Sequence, residues 1–202
     1  PGLLSVLVVS IAAYEICSKK LRNVCDRIED AEDEEFHRLD YEEERYGAIL
    51  QCINVVAQVL CIALLGSGYS MRYIHDGRNS LVKFLTACVL FLICFFYCGM
   101  AQARYVKLLQ KVHPEKKGDI ASKDFHKQWL ESCDEAEKEA VYQSSYSTYI
   151  FSGKLIGILL VVTMIAHLFF NTGVFAIVVV GVIYLCITVK YCVSCVKLKN
   201  KS

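Results

Sequence analysis

The sequence carries almost no net charge: 22 Lys and Arg stand against 21 Asp and Glu, a formal +1. A nucleic-acid binder needs a concentrated basic surface, so this balance argues against DNA or RNA as a partner. Also missing are a Gly-rich phosphate loop, a serine nucleophile elbow and a His-Glu-x-x-His zinc helix, which removes the commonest signatures of nucleotide, acyl-transfer and metalloprotease chemistry. There is a single tryptophan, Trp129. No glycine or proline falls between Ser18 and Tyr46, so nothing in that charged stretch marks a helix end. Eleven cysteines are an odd number, and most lie in apolar runs or in segments expected on the reducing side of a membrane. They read as free thiols rather than a disulfide framework.

What the chain does have is apolar length. Of its 202 residues, 55% are hydrophobic, too many for an ordinary soluble domain. Five runs stand out, at about 2–17, 48–66, 81–100, 149–170 and 173–196. A helix needs roughly 20 apolar residues to cross the hydrocarbon core. The middle three meet this outright, and the last meets it once Lys190 snorkels to the interface. The first is short. Lys and Arg collect between Ser18 and Tyr46, between Gln102 and Tyr146, and in the tail, whereas the 67–80 link has only Arg72 and Arg78. The positive-inside rule places the two long polar segments and the C-terminus in the cytoplasm. Five spans then leave Pro1 outside, and the expectation is that a first span or a cleaved signal precedes it.

Both polar segments have helical periodicity: Leu21, Val24, Ile28 and Ala31, then Phe36, Leu39 and Tyr46, in the first; Phe125, Trp129, Cys133, Ala136 and Ala140 in the second. They predict amphipathic cytoplasmic helices over about 19–46 and 122–146, the first continuing as one rod into the second span. Each contains Phe-His-basic, at Phe36 and Phe125, and Asp-x-x-Glu, at Asp40–Glu43 and Asp134–Glu137. The order span, cytoplasmic helix, span occurs twice, which predicts an internal repeat within one all-α polytopic membrane bundle.

The stretch from Tyr105 to Lys199 has "KGD" at Lys117, "FHKQWLESCDEAEK" at Phe125 and "FFNTG" at Phe169. It resembles the family of bacterial membrane proteins designated DUF3169, with the first half matching in layout. The resemblance implies about six spans in the cytoplasmic membrane of Gram-positive bacteria and implies no particular activity, ligand or catalytic residue.

Candidate sites are few. Asp40, Glu43, Asp134 and Glu137, with His37 and His126, would form a divalent-metal site if the two helices packed side by side; the alternative is a solvated acidic face with pairs such as Asp134–Lys138. No other cofactor is indicated. Asn54 and Gln58 lie one turn apart in the second span, lining a polar path or bonding to a neighbouring helix. Gly153 and Gly157 form a Gly-x-x-x-Gly packing motif. Cys192 and Cys195 have the spacing of half a zinc or redox site, against small apolar packing. His167 reads as an interfacial histidine, and Tyr142, Tyr146 and Tyr149 as an aromatic belt. With the bilayer as its surroundings and no catalytic set, the chain reads first as a non-enzymatic accessory or immunity-type component binding a protein or peptide on its cytoplasmic helices. The alternatives are a small transporter or channel and a metal-dependent membrane enzyme. Oligomeric state is not legible.

Overall fold

The computed structural model describes residues 2–28, 31–68 and 78–199. It contains six helices: α1 (Gly2–Ile28), α2 (Asp33–Gly68), α3 (Arg78–Val112), α4 (Phe125–Glu131), α5 (Glu135–Phe170) and α6 (Phe175–Lys199). All but α4 are long and apolar enough to cross a bilayer, and no strand occurs among the described residues. The fold is an all-α helical bundle with transmembrane helices, and the protein is a multi-pass membrane protein. Arg72 and Lys201, both used in reading the charge distribution, fall outside the described residues.

The chain divides into two compact units, residues 1–133 and 134–202. In the first, α1 and α2 form an antiparallel hairpin. Gly2 lies against Leu64, where an added Cβ would be 3.7 Å from the leucine side chain. Further along, the Cys17 thiol approaches the Tyr46 carbonyl at 3.8 Å, and Arg27 pairs with Glu35 near the turn. Helix α3 packs against both.

This hairpin corrects the expected rod. The 19–46 segment is divided: its first part completes α1, the chain is non-helical at Ala31 and Glu32, and the remainder opens α2. The physical reason is the apolar stripe itself. Leu21, Val24 and Ile28 on α1 and Leu39 on α2 are all buried, and Val24, Ile28 and Leu39 pack together with Ala31 and Tyr46 beside them. A straight rod would leave both halves of that stripe without a partner, whereas folding it back closes one on the other.

The same unit gives five of the eleven cysteines a packing role. Cys17, Cys25, Cys61, Cys94 and Cys98 are buried together with Ala57, Ala87 and Ala101, and none of the eleven cysteines is in a disulfide. Lipid tails are as apolar as leucine, so helices in a bilayer associate through close packing and internal hydrogen bonds, which small side chains permit. Gly47 is the tightest such point: a Cβ there would collide with the Tyr105 hydroxyl of α3.

The second expected amphipathic helix, 122–146, is likewise divided. Helix α4 ends at Glu131, and α5 starts afresh at Glu135 with Asp134 as its N-cap. The second unit is an α5–α6 hairpin. Asn171 closes α5 in the left-handed region (φ 52°), its N–H donating to the His167 carbonyl, and Gly173 follows at φ 84°. Tyr149 of α5 stacks on Tyr191 of α6, with ring centroids 4.1 Å apart. Ile156 is the one buried residue of α5.

Candidate functional site

The polar side chains of the first unit concentrate where α1, α2 and α3 leave their apolar runs. On α3, Tyr97 and Arg104 are seven residues apart and therefore share a face. Opposite them, α1 presents Tyr14 and Glu15. The Tyr97 hydroxyl donates to Glu15 Oε1 at 2.9 Å, and Arg104 Nη1 reaches the same oxygen at 3.1 Å. The Tyr14 hydroxyl donates to the Ala101 carbonyl at 2.7 Å in a buried setting. The Arg104 guanidinium lies 5.8 Å from the Tyr14 ring centroid and 5.6 Å from that of Tyr97, within the range of cation–π attraction. The two tyrosine rings meet edge-on at 6.1 Å. An acid within the first apolar run is thus matched by one cation and two aromatic rings, which lowers the cost of holding a charge near hydrocarbon.

Two turns further along, Glu43 of α2 is buried, at 6% exposure. His113, immediately after α3, places Nε2 3.2 Å from Glu43 Oε1 and 3.4 Å from Oε2, while its Nδ1 lies 3.4 Å from Glu115 Oε1. Glu43 precedes the apolar run that begins at Ala48. Burial pushes its carboxyl above the usual carboxylate range, and the neighbouring His113 works in the opposite direction. Taking a carboxylate out of water costs several kcal/mol unless a partner compensates, and His113 is that partner. An imidazolium satisfies both carboxylates as a double donor; a neutral ring donates to one only. The arrangement clamps α2 to the end of α3 and can hold a proton between Glu43 and His113.

Of the residues proposed as metal ligands, Glu43 alone enters this seam. Asp40 is exposed three residues earlier. His37 and His126 are exposed and lie edge-on to Phe36 and Phe125, at 6.2 and 5.3 Å. Asp134 and Glu137 form a capping box: Asp134 Oδ1 accepts from the Glu137 N–H at 2.8 Å, and Glu137 Oε2 accepts from the Asp134 N–H at 2.9 Å. Asp134 therefore does not share a helix face with Glu137, and Lys138 pairs with Glu135 at 3.1 Å rather than with Asp134. Among the described residues, no group of three or more His, Cys, Asp or Glu is placed to hold a metal ion.

Asn54 is buried and Gln58 is half-buried. A Cβ at Gly153 or Gly157 would meet no atom within 4 Å. Cys192 and Cys195 are exposed on α6. His167 keeps a buried Nδ1 without a hydrogen-bond partner. Tyr142 and Tyr146 are exposed.

The sequence reading missed Glu15, Tyr14, Tyr97 and His113, and counted Arg104 only toward orientation. One signal was available. Glu15 is an acid inside the first apolar run, and such a group needs a partner.

No curated protein and no solved structure matches the chain. A family model described as a protein of unknown function, DUF3169, matches residues 3–194, so the likeness includes the α1–α2 hairpin as well as the second half. The chain belongs to the DUF3169 family.

Proposed function

We propose that this integral membrane protein is a non-enzymatic component of the bacterial cytoplasmic membrane, of accessory or immunity type, that binds a protein or peptide through the connector between α3 and α5. In this reading the connector, which lies within the Lys- and Arg-bearing stretch from Gln102 to Tyr146, and the C-terminus are cytoplasmic. The observation that carries it is the folding of residues 113–133 on themselves. Gln110 Nε2 donates to the Gly118 carbonyl at 2.8 Å, the Lys117 N–H to Ser132 Oγ at 3.0 Å, and the Asp119 N–H to Gln128 Oε1 at 3.4 Å. Gly118 has φ 153°, and a Cβ there would press on the Phe125 ring at 2.9 Å. Phe125 in turn packs on Trp129, with centroids 5.7 Å apart. A few residues would suffice to join two helices, and long connections that keep a defined structure are usually functional. These braces leave Lys123, His126 and Lys127 exposed beside Asp119, Asp124 and Glu131, with Lys127 Nζ 3.8 Å from Glu131, a mixed-charge surface on which a partner segment can dock.

Photo-crosslinkers placed at His126 and Lys127 in native membranes test this. The expected result is a discrete adduct that disappears when Lys123→Glu is combined with Lys127→Glu. Absence of any protein adduct at both positions sinks the reading.

A second reading, a small transporter, draws support from Glu15 in the first apolar run and buried Asn54 in the second. It requires liposomes containing the protein to pass a small cation or protons faster than empty ones, with Glu15→Gln abolishing the difference. The metal-dependent enzyme requires stoichiometric metal in the purified protein, lost on Asp134→Ala with Glu137→Ala.

A further inference from the structure

A groove of about 570 Å³ runs along the α1–α2 hairpin. On α1 its wall includes Ser5, Val9 and Ala13, and on α2 Ala48, Cys52 and Leu60. The wall is apolar or small throughout, and the Ser5 hydroxyl is engaged by its own helix, donating to the Gly2 carbonyl at 2.8 Å. From Ala48 to Leu60 a helix rises about 18 Å. That is close to the depth of one leaflet of a hydrocarbon core roughly 30 Å thick.

The polar end of this groove is charged. Lys20 follows Ala13 by seven residues, and Arg45 precedes Cys52 by seven, so each continues the groove-facing stripe of its helix by two turns. Both are exposed. The hairpin register brings them to similar height, because Cys17 lies beside Tyr46 and Arg27 beside Glu35. Two acids neighbour Arg45 in sequence: Glu44, turned from it by about 100° around the helix, and Glu42, which is half-buried a turn further from the groove. Lys20 and Arg45 are therefore the charges in line with the slot. From this juxtaposition we infer that the hairpin holds one anionic phospholipid, with an acyl chain in the groove and its phosphate between Lys20 and Arg45. The groove accounts for chain length, and the two cations account for headgroup sign. This site is separate from the folded connector, and its failure leaves the partner-binding reading untouched.

Native mass spectrometry of the full chain, delipidated in mild detergent and titrated with dioleoylphosphatidylglycerol or dioleoylphosphatidylcholine, reads the site directly. The wild type is expected to retain one phosphatidylglycerol with about tenfold preference over phosphatidylcholine, the scale set by one or two basic residues at a membrane surface. Lys20→Glu with Arg45→Glu leaves the groove intact and should reduce the preference to about one. Ala13→Phe with Cys52→Phe fills the groove and should release both lipids while circular dichroism stays helical. Equal retention of the two lipids by the wild type overturns the proposal, as does a preference that survives the charge reversal. A photo-crosslinker at Ala13 in phosphatidylglycerol vesicles decides between occupants. A lipid adduct supports the proposal, and a species of doubled chain mass assigns the groove to a second copy instead.

Discussion

The two units draw on the same kind of apolar helix and use it differently. In the first, α1, α2 and α3 bury cysteines, alanines, Tyr14, Asn54 and Glu43. In the second, α5 buries only Ile156, and the candidate span of α6 has no buried residue. Hydropathy does not separate them, since all five long helices are apolar enough to span a bilayer. What separates them is which side chains are buried between the helices, small and polar ones in the first unit and almost none in the second. Between helices in lipid, apolar surface gains little by moving from tail to neighbour, so association depends on close approach and on hydrogen bonds that need partners. Glu15, Tyr97 and Arg104 supply those bonds in the first unit. The α5–α6 hairpin relies on its turn and on the Tyr149–Tyr191 stack.

The comparison breaks most sharply at Glu43. Removing its partner with His113→Ala leaves a buried carboxylate uncompensated, and breaking such a pair costs about 3–5 kcal/mol. Thermal unfolding in detergent should show that loss confined to residues 1–133. Glu43→Gln in the same background removes the charge and should recover much of it, and the double-mutant cycle isolates the pair. Equal stability of wild type and His113→Ala would mean that the seam is not what holds α2 to α3. The next largest effect belongs to Gly47→Ala, whose methyl group meets the Tyr105 hydroxyl; overpacking of this kind costs about 1–3 kcal/mol. Adding Tyr105→Phe removes the oxygen in the way and should restore part of the loss. No recovery on that change would show the clash to be with backbone instead.

Much of the architecture was legible in the sequence because a bilayer demands runs of fixed length, and all five runs became helices. The ends were not. The stripe from Leu21 to Tyr46 was read as one amphipathic rod, since no glycine or proline interrupts it. It folds back because two short apolar stripes can cover each other, a tertiary effect that no local breaker announces. Asp134–Glu137 shows the opposite failure. The D-x-x-E pattern before an apolar run is a capping-box signature, and it was legible, but its likeness to Asp40–Glu43 had both pairs read alike, as a solvated acidic face or a metal site. The structure makes one motif a helix start and the other a mid-helix stretch. The Glu15 cluster escaped because its three partners lie more than eighty residues away or on the same helix, and only packing brings α3 to α1.

In the second unit the expected effects are smaller. Asp134→Ala removes an N-cap and should cost about 1 kcal/mol, read as faster hydrogen exchange at residues 135–138 with none at α1–α3. A uniform change across both units would mean that Asp134 has a wider role than capping α5.

The smallest effect tests the comparison from the other side. Gly153 and Gly157 have the spacing of a close helix contact, yet a Cβ at either meets nothing within 4 Å. If the hairpin uses no close approach on this face, Gly153→Ala with Gly157→Ala replaces glycine by a better helix former at two half-buried sites. Unfolding in detergent should then shift by less than about 1 kcal/mol, toward higher stability. A loss instead of a gain would place another helix against these glycines in the membrane. The rule inferred from the first unit, that small residues mark where helices meet, would then extend to the second, and the difference between the units would lie in which surface each one packs against rather than in whether it packs.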